Sequence, residues 1–160
     1  MVTYYNRRWD DTATAFMARQ GRFRRAHGTH YFAGTANGNI FFLYSTPRRR
    51  KGWAEVNAFS DWKQLNRCNL DRDQKKKVRD YGIYLGMIWV FETLDNEGIW
   101  GRIEQSNKAI YHMMLSISAT VVPTDNMSPI GEPYFEWRYS REQFRNSDIY
   151  QRAKDSVYDF

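Results

Sequence analysis

Two apolar segments, His30–Ala36 and Asn39–Ser45, flank Asn37-Gly38. That dipeptide suits a type I′ turn, which needs positive φ at both central residues, so the pattern predicts a β-hairpin. The second arm contains IFFLY, apolar at successive positions, as expected of a central strand covered on both faces. Before the hairpin, Asp10-Asp11-Thr12 supplies N-cap chemistry and Gly21 a stop, so 12–20 is expected to be a short helix. After it, PRRRKG is a basic turn and 53–59 a third strand, and Ser60-Asp61 opens a helix over SDWKQLNRC.

The stretch 71–81 has helical periodicity. At 100° per residue, Arg72, Lys75, Lys76 and Arg79 share an arc of about 100°, opposite Val78 and Tyr81. Asp71 and Asp73 are placed to cap it, where the helix dipole favours carboxylates. The run 82–91, GIYLGMIWVF, is apolar throughout and its periodicity is ambiguous between helix and strand. Its β-branched and aromatic content, with Asp95-Asn96-Glu97-Gly98 behind it, points to a strand hairpin into 99–104. From 111 to 121 apolar residues recur at period two, with Met114 the exception among the polar positions, predicting a half-buried antiparallel strand. Residues 123–133 hold three of the four prolines and are expected to be a loop. Ser140 and Gln143 fit a capping box opening a helix with Ile149, Tyr150, Ala153 and Val157 as its apolar stripe. These elements predict an α+β fold in one domain over 1–160: a mostly antiparallel sheet of about five to six strands with flanking short helices.

Composition narrows the function classes. The chain has 160 residues, 42% hydrophobic and 26% charged, which excludes wholesale disorder. The apolar run at 82–91 is interrupted by two glycines and too short for a bilayer, and no signal-like segment opens the sequence, so an intracellular, cytoplasmic protein with no membrane partner is expected. One cysteine, Cys68, excludes a disulfide scaffold and paired-cysteine zinc sites. With no HExxH, EF-hand loop or phosphate-binding glycine loop either, neither metal nor cofactor is expected.

The net charge of +6 conceals an asymmetry. Residues 1–80 carry 17 Lys/Arg against 7 Asp/Glu, whereas residues 81–160 carry 7 against 11. Basic clusters adjoin aromatics: Arg7-Arg8 with Trp9, Arg22/Arg24/Arg25 with Phe23, Arg48-Arg49-Arg50-Lys51 with Trp53, and the 72–79 stripe with Tyr81. Guanidinium groups pair bidentately with phosphates and flat rings stack on unpaired bases. The leading expectation is therefore a non-enzymatic protein that contacts nucleic acid or a nucleoprotein complex through this surface, in the manner of a virus- or phage-encoded host-interaction factor. A solvated basic surface with core aromatics is the plain alternative.

Two further classes stay open. His30 and His112, with Glu136 and Arg138 of GEPYFEWR, would suit a metal-independent nuclease or phosphodiesterase if the fold brought them together, since acid–base catalysis needs two titratable groups on one substrate. A structural or inhibitory protein is the other class. There the 17% aromatic content and the acidic second half would dock a basic partner or pair with the basic half in a homodimer, and the basic clusters would suit an acidic protein partner.

Overall fold

The computed structural model describes residues 1–21 and 29–154. Its first sheet has the order β1-β2-β3-β6 and its second β4-β5-β7-β9-β8. The strands are β1 (Val2–Arg8), β2 (His30–Ala36), β3 (Asn39–Ser45), β4 (Arg49–Arg50), β5 (Trp53–Glu55), β6 (Asn57–Ser60), β7 (Gly98–Glu104), β8 (Thr120–Met127) and β9 (Pro133–Ser140). The helices are α1 (Asp11–Arg19), α2 (Arg72–Ile88), α3 (Lys108–Ser116), α4 (Arg141–Arg145) and α5 (Asp148–Ala153). Every pairing is antiparallel except β5 with β7, which is parallel. The α+β class with antiparallel sheets and short flanking helices is as expected, divided between two sheets rather than one.

The β2–β3 hairpin forms as the turn chemistry requires, with Asn37 at φ 50° and Gly38 at φ 80°. β3 lies between β2 and β6, and its two faces are covered by α1 and by the core beneath α2, which explains its doubly apolar pattern. Tyr31, Ala33 and Leu43 pack with Ala13, Phe16 and Met17 of α1. Phe32 and Phe42, on the other face, join the core beneath α2. Each such fully buried side chain contributes roughly 2 kcal/mol of transfer free energy. The N-cap of α1 is Asp10, whose carboxylate accepts from the Ala13 N–H at 3.0 Å and also from the Tyr31 hydroxyl at 3.0 Å.

Several expectations are corrected. The run 82–91 is helix: α2 continues through it and ends in a π turn over Trp89–Thr93. Val78, Gly82 and Gly86, four residues apart, form one buried stripe that lets the rings of Phe42 and Tyr44 lie against the backbone. The period-two strand at 111–121 is instead α3 followed by β8. Asn107 caps the Ile110 N–H, and Ser118 at φ 64° turns the chain between the two elements. Met114, the exception to the alternation, is the buried residue of α3. β8 runs into the proline segment. As the outer strand of its sheet it tolerates Pro123, which has no N–H to leave unpaired, and its register shifts between Pro123 and Met127. The third strand divides into β5 and β6, and the helix after Ser60-Asp61 is a 3₁₀ helix over Trp62–Arg67. The C-terminal capping box forms, but its helix breaks in two where Ser147 caps α5. Ile149 and Ala153 are buried there, and Val157 lies outside the described residues. β1 was not anticipated. No helix among the described residues is long and apolar enough to cross a membrane.

Candidate functional site

The described basic clusters lie on separate elements. Arg22, Phe23, Arg24 and Arg25 lie outside the described residues. Arg49 and Arg50 form β4, and this turn is tied down: Arg48 sits 3.6 Å from Glu55, and Arg49 donates to the Asp95 carbonyl at 2.9 Å. Lys51 holds a turn at φ 51°, and the Trp53 ring is pressed against Gly98. Asp95 follows the π turn at the carboxyl end of α2, whereas Arg72, Lys75, Lys76 and Arg79 occupy its first turns. The 16 residue steps from Arg72 to Ile88 span roughly 24 Å of helix, with the stripe at its start and Asp95 beyond its end. Lys75 donates to Asn66 at 3.1 Å, and the Arg79 guanidinium lies 5.9 Å from the Trp62 ring.

The histidine set is not assembled either. His30 begins β2 opposite Arg8 in the first sheet, its Nδ1 3.0 Å from the Thr29 hydroxyl. His112 is exposed on α3, which packs on β8 at the far edge of the second sheet. Glu136 and Arg138 pair with each other on β9 at 2.8 Å. Among the described residues no group of three His, Cys, Asp or Glu side chains could hold a metal ion.

What the fold does build is a cleft where one strand parts from its neighbour. β5 runs parallel to β7, and β6 continues the same chain but pairs only with β3. Val56, between them, is buried and donates its N–H to the Trp100 carbonyl at 2.8 Å. Beyond that rung the two sheets diverge. The register shows which backbone groups face the gap. The Asp61 N–H donates to the Phe41 carbonyl at 2.7 Å, so alternate residues Phe59 and Asn57 bond toward β3. Ala58 and Ser60 then turn their N–H and C=O groups away from β3, into the cleft. On the opposite wall, the Arg141 N–H donates to the Glu97 carbonyl at 2.9 Å. By the same alternation Ile99, Gly101 and Ile103 bond toward β9, and Arg102 and Glu104 face the cleft.

The cleft has a volume of about 570 Å³. Its walls are these two strand edges, Asn107 and Ile110 at the start of α3, and Tyr134 and Trp137 of β9. Glu55 and Glu104 supply carboxylates, with Arg48 beside Glu55 and the Arg102 guanidinium 5.8 Å from the Tyr134 ring. Below it lies a small apolar cavity of about 30 Å³, bounded by Tyr44, Val56, Ala58, Gly86, Met87 and Met114. Burial pushes the Tyr44 phenol up, so it remains a neutral hydroxyl across the physiological range. Of these cleft residues only Arg48 was among the candidate binding residues of the sequence, as part of the 48–51 basic cluster. The break of the third strand at Val56 carries no compositional mark, because it is a property of which neighbour each half finds.

No protein-family model and no curated protein sequence matches the chain. Solved structures do. A dodecameric spermidine N-acetyltransferase from Vibrio cholerae superposes with a TM-score of 0.65 at 10% identity, covering 89% of this chain and 96% of that one. A variant of a Vibrio cholerae spermidine N-acetyltransferase gives 0.64 at 10% identity, with the same coverage. A third match, described only as an acetyltransferase, gives 0.56 at 13% identity over 81% of this chain and 65% of its own. These neighbours are acetyltransferases, which overturns the non-enzymatic nucleic-acid-binding, viral and inhibitory expectations and the histidine-nuclease alternative. At 10–13% identity the likeness is one of architecture: the chain has the fold of the acetyltransferases it superposes on.

Proposed function

We propose that this protein transfers an acyl group from a thioester to an amine, with the cleft at Val56 as the reaction site. The observation that carries the reading is the divergence of β6 from β7, which leaves the Ala58 and Ser60 backbone groups as an open strand edge along a cleft. An extended ligand bearing amides can add to such an edge as a further strand, and the amide-containing arm of an acyl-pantetheine thioester has that form. The fold neighbours named as acetyltransferases support the same chemistry.

Held beside the arm, the acceptor nitrogen attacks the thioester carbonyl carbon. The C–N bond forms, the C–S bond breaks, and the proton lost by the amine is balanced by protonation of the departing thiolate. The cleft's contribution is orientation and removal of that proton. Glu104, paired with Tyr134 across β7 and β9, is the carboxylate we assign to accept it. Glu55 is held by Arg48 and is assigned to binding the acceptor's charge.

The test is incubation of the full chain with acetyl-coenzyme A and acetyl-pantetheine and a panel of amines, read by mass spectrometry. Spermidine heads the panel, since the neighbours are named for it and two carboxylates line this cleft. Acetylated product that falls at least tenfold with Glu104→Gln is expected. Product no greater than the uncatalysed background for every amine and both donors would refute acyl transfer.

A further inference from the structure

The cleft and the apolar cavity below it are continuous, since Val56, Ala58, Met113, Met114 and Trp137 line both. The cavity lies at the closed end of the gap. From the two parting strands it takes Val56 and Ala58 on one side and Ile99 on the other, with Trp137, the β9 partner of Gly101. Ser60 and Glu104, further from the Val56–Trp100 rung, line the cleft alone. A donor arm along the Ala58 and Ser60 edge could run in either direction. The rung closes the apex, so a bulky group beyond the arm has room only at the open end, and the acyl end is the one that reaches the cavity. The cavity floor is Ile83, Gly86 and Met87 of α2 and Val90 of its π turn, and no charged side chain lines it. Its volume of about 30 Å³ is room for about two water-sized groups, at roughly 10–15 Å³ each. Ile103 belongs to the core beneath α2, so Glu104, next along β7, projects from the opposite face. A tail in the cavity therefore leaves the amine's side of the thioester clear.

We infer that this cavity seats the acyl tail and that the preferred donor is a propionyl thioester, its carbonyl in the cleft and its two further carbons in the cavity. This inference rests on the acyl-transfer reading for its choice of ligand, but concerns the length and polarity of the group transferred. An acetyl group fills one of the two places, and burying the second carbon is worth roughly fourfold in affinity. A hexanoyl tail is too long for the space. A succinyl tail would carry a carboxylate into an uncharged pocket, out of water and unpaired.

The experiment is calorimetric titration of the full chain, without amine, with the acetyl, propionyl, hexanoyl and succinyl thioesters of pantetheine. Propionyl binding about two- to fivefold tighter than acetyl, and about tenfold or more tighter than hexanoyl and succinyl, is expected. Ile83→Phe, which narrows the cavity, should erase the propionyl advantage. Should that variant not fold, the comparison on the parent chain decides alone. An acetyl, hexanoyl or succinyl thioester binding as tightly as the propionyl one, or a propionyl advantage that survives in folded Ile83→Phe, would overturn the inference while leaving acyl transfer intact. If propionyl is preferred but no amine is acylated from any donor, acyl transfer fails and the seat for the tail stands. If no thioester binds, both fail.

Discussion

Val56 donates its backbone N–H to the Trp100 carbonyl at 2.8 Å, and this is the rung at which the two sheets part. Up to Val56 the strand belongs to β7's sheet, and from Asn57 onward it belongs to β3's. The cleft exists because one strand serves two sheets in succession.

The Ala58 N–H faces that cleft and not β3, so Ala58→Pro removes a ligand-facing donor without cutting the β3 ladder. Loss of one such hydrogen bond is worth about 1 kcal/mol, so pantetheine binding should weaken roughly five- to tenfold. Calorimetry on a variant with a retained cooperative melt checks this. Unchanged affinity would remove the β6 edge from the donor site.

Gly86 lies beneath the Tyr44 ring so closely that a Cβ there would overlap the Cε2 and Cδ2 atoms. Gly86→Ala gains about 1 kcal/mol of helix propensity but forces the ring out of a packed core, a cost of about 1–3 kcal/mol. Net destabilisation of about 1 kcal/mol is expected in urea unfolding. A variant more stable than the parent would mean that the helix–sheet contact is looser than described.

Arg141 ties the end of the π turn to β9. Its guanidinium donates to the Phe91 carbonyl at 2.5 Å and the Asn96 carbonyl at 2.9 Å. It also meets Asp95, an exposed carboxylate whose pairing adds little. Arg141→Ala strands the two carbonyls and should cost about 2 kcal/mol, whereas Arg141→Lys should recover part of that. Denaturant midpoints decide it, and equal loss in both variants would contradict the carbonyl-bonding account.

Burial, together with hydrogen bonding to Tyr5 and Asp10, pushes the Tyr31 phenol up, and burial alone does so for Tyr44. Each group holds its proton more tightly folded than unfolded. The resulting stability is therefore complete below the unfolded tyrosine value of about 10 and lost as pH rises beyond it. Unfolding free energy should be insensitive to these groups from pH 7 to 9 and fall above pH ~10. Tyr44→Phe should flatten that fall, and Tyr31→Phe should flatten it too, at the expense of the bond to Asp10 near neutrality. A parent protein with constant stability from pH 9 to 11 would sink the prediction.

What could be read in advance is what neighbours in sequence decide among themselves. The Asn37-Gly38 turn, the Asp10 and Asp71 caps and the Ser140–Gln143 box are local, and each forms. Errors arose where a local pattern admitted two periods. Gly82 and Gly86 mark a helix face because rings from β3 need the room, and that reason lies some forty residues away in the chain. The alternation at 111–121 was a coincidence of two elements, and Met114, the residue that broke it, was the signal of a helical face. The cleft was illegible for the same cause. Ala58, Glu104 and Tyr134 share no spacing or motif, and they meet only because β6 parts from β7 after Val56 while β9 pairs with β7's other edge. The basic clusters were legible as charge but not as a surface, since one begins α2 and another is a β4 turn tied to Asp95 beyond that helix's far end.

A strand shared between two sheets has a thermodynamic corollary. The hydrogen-bonded ladder stops at Val56 although both walls of the gap still carry outward-facing backbone groups, so a ligand spanning them would serve as the missing rungs. Its occupancy would be felt as resistance to unfolding of both sheets at once, about 2.7 kcal/mol at a hundred times its dissociation constant. The melting temperature of the whole chain thereby becomes a reporter for whatever fills the cleft.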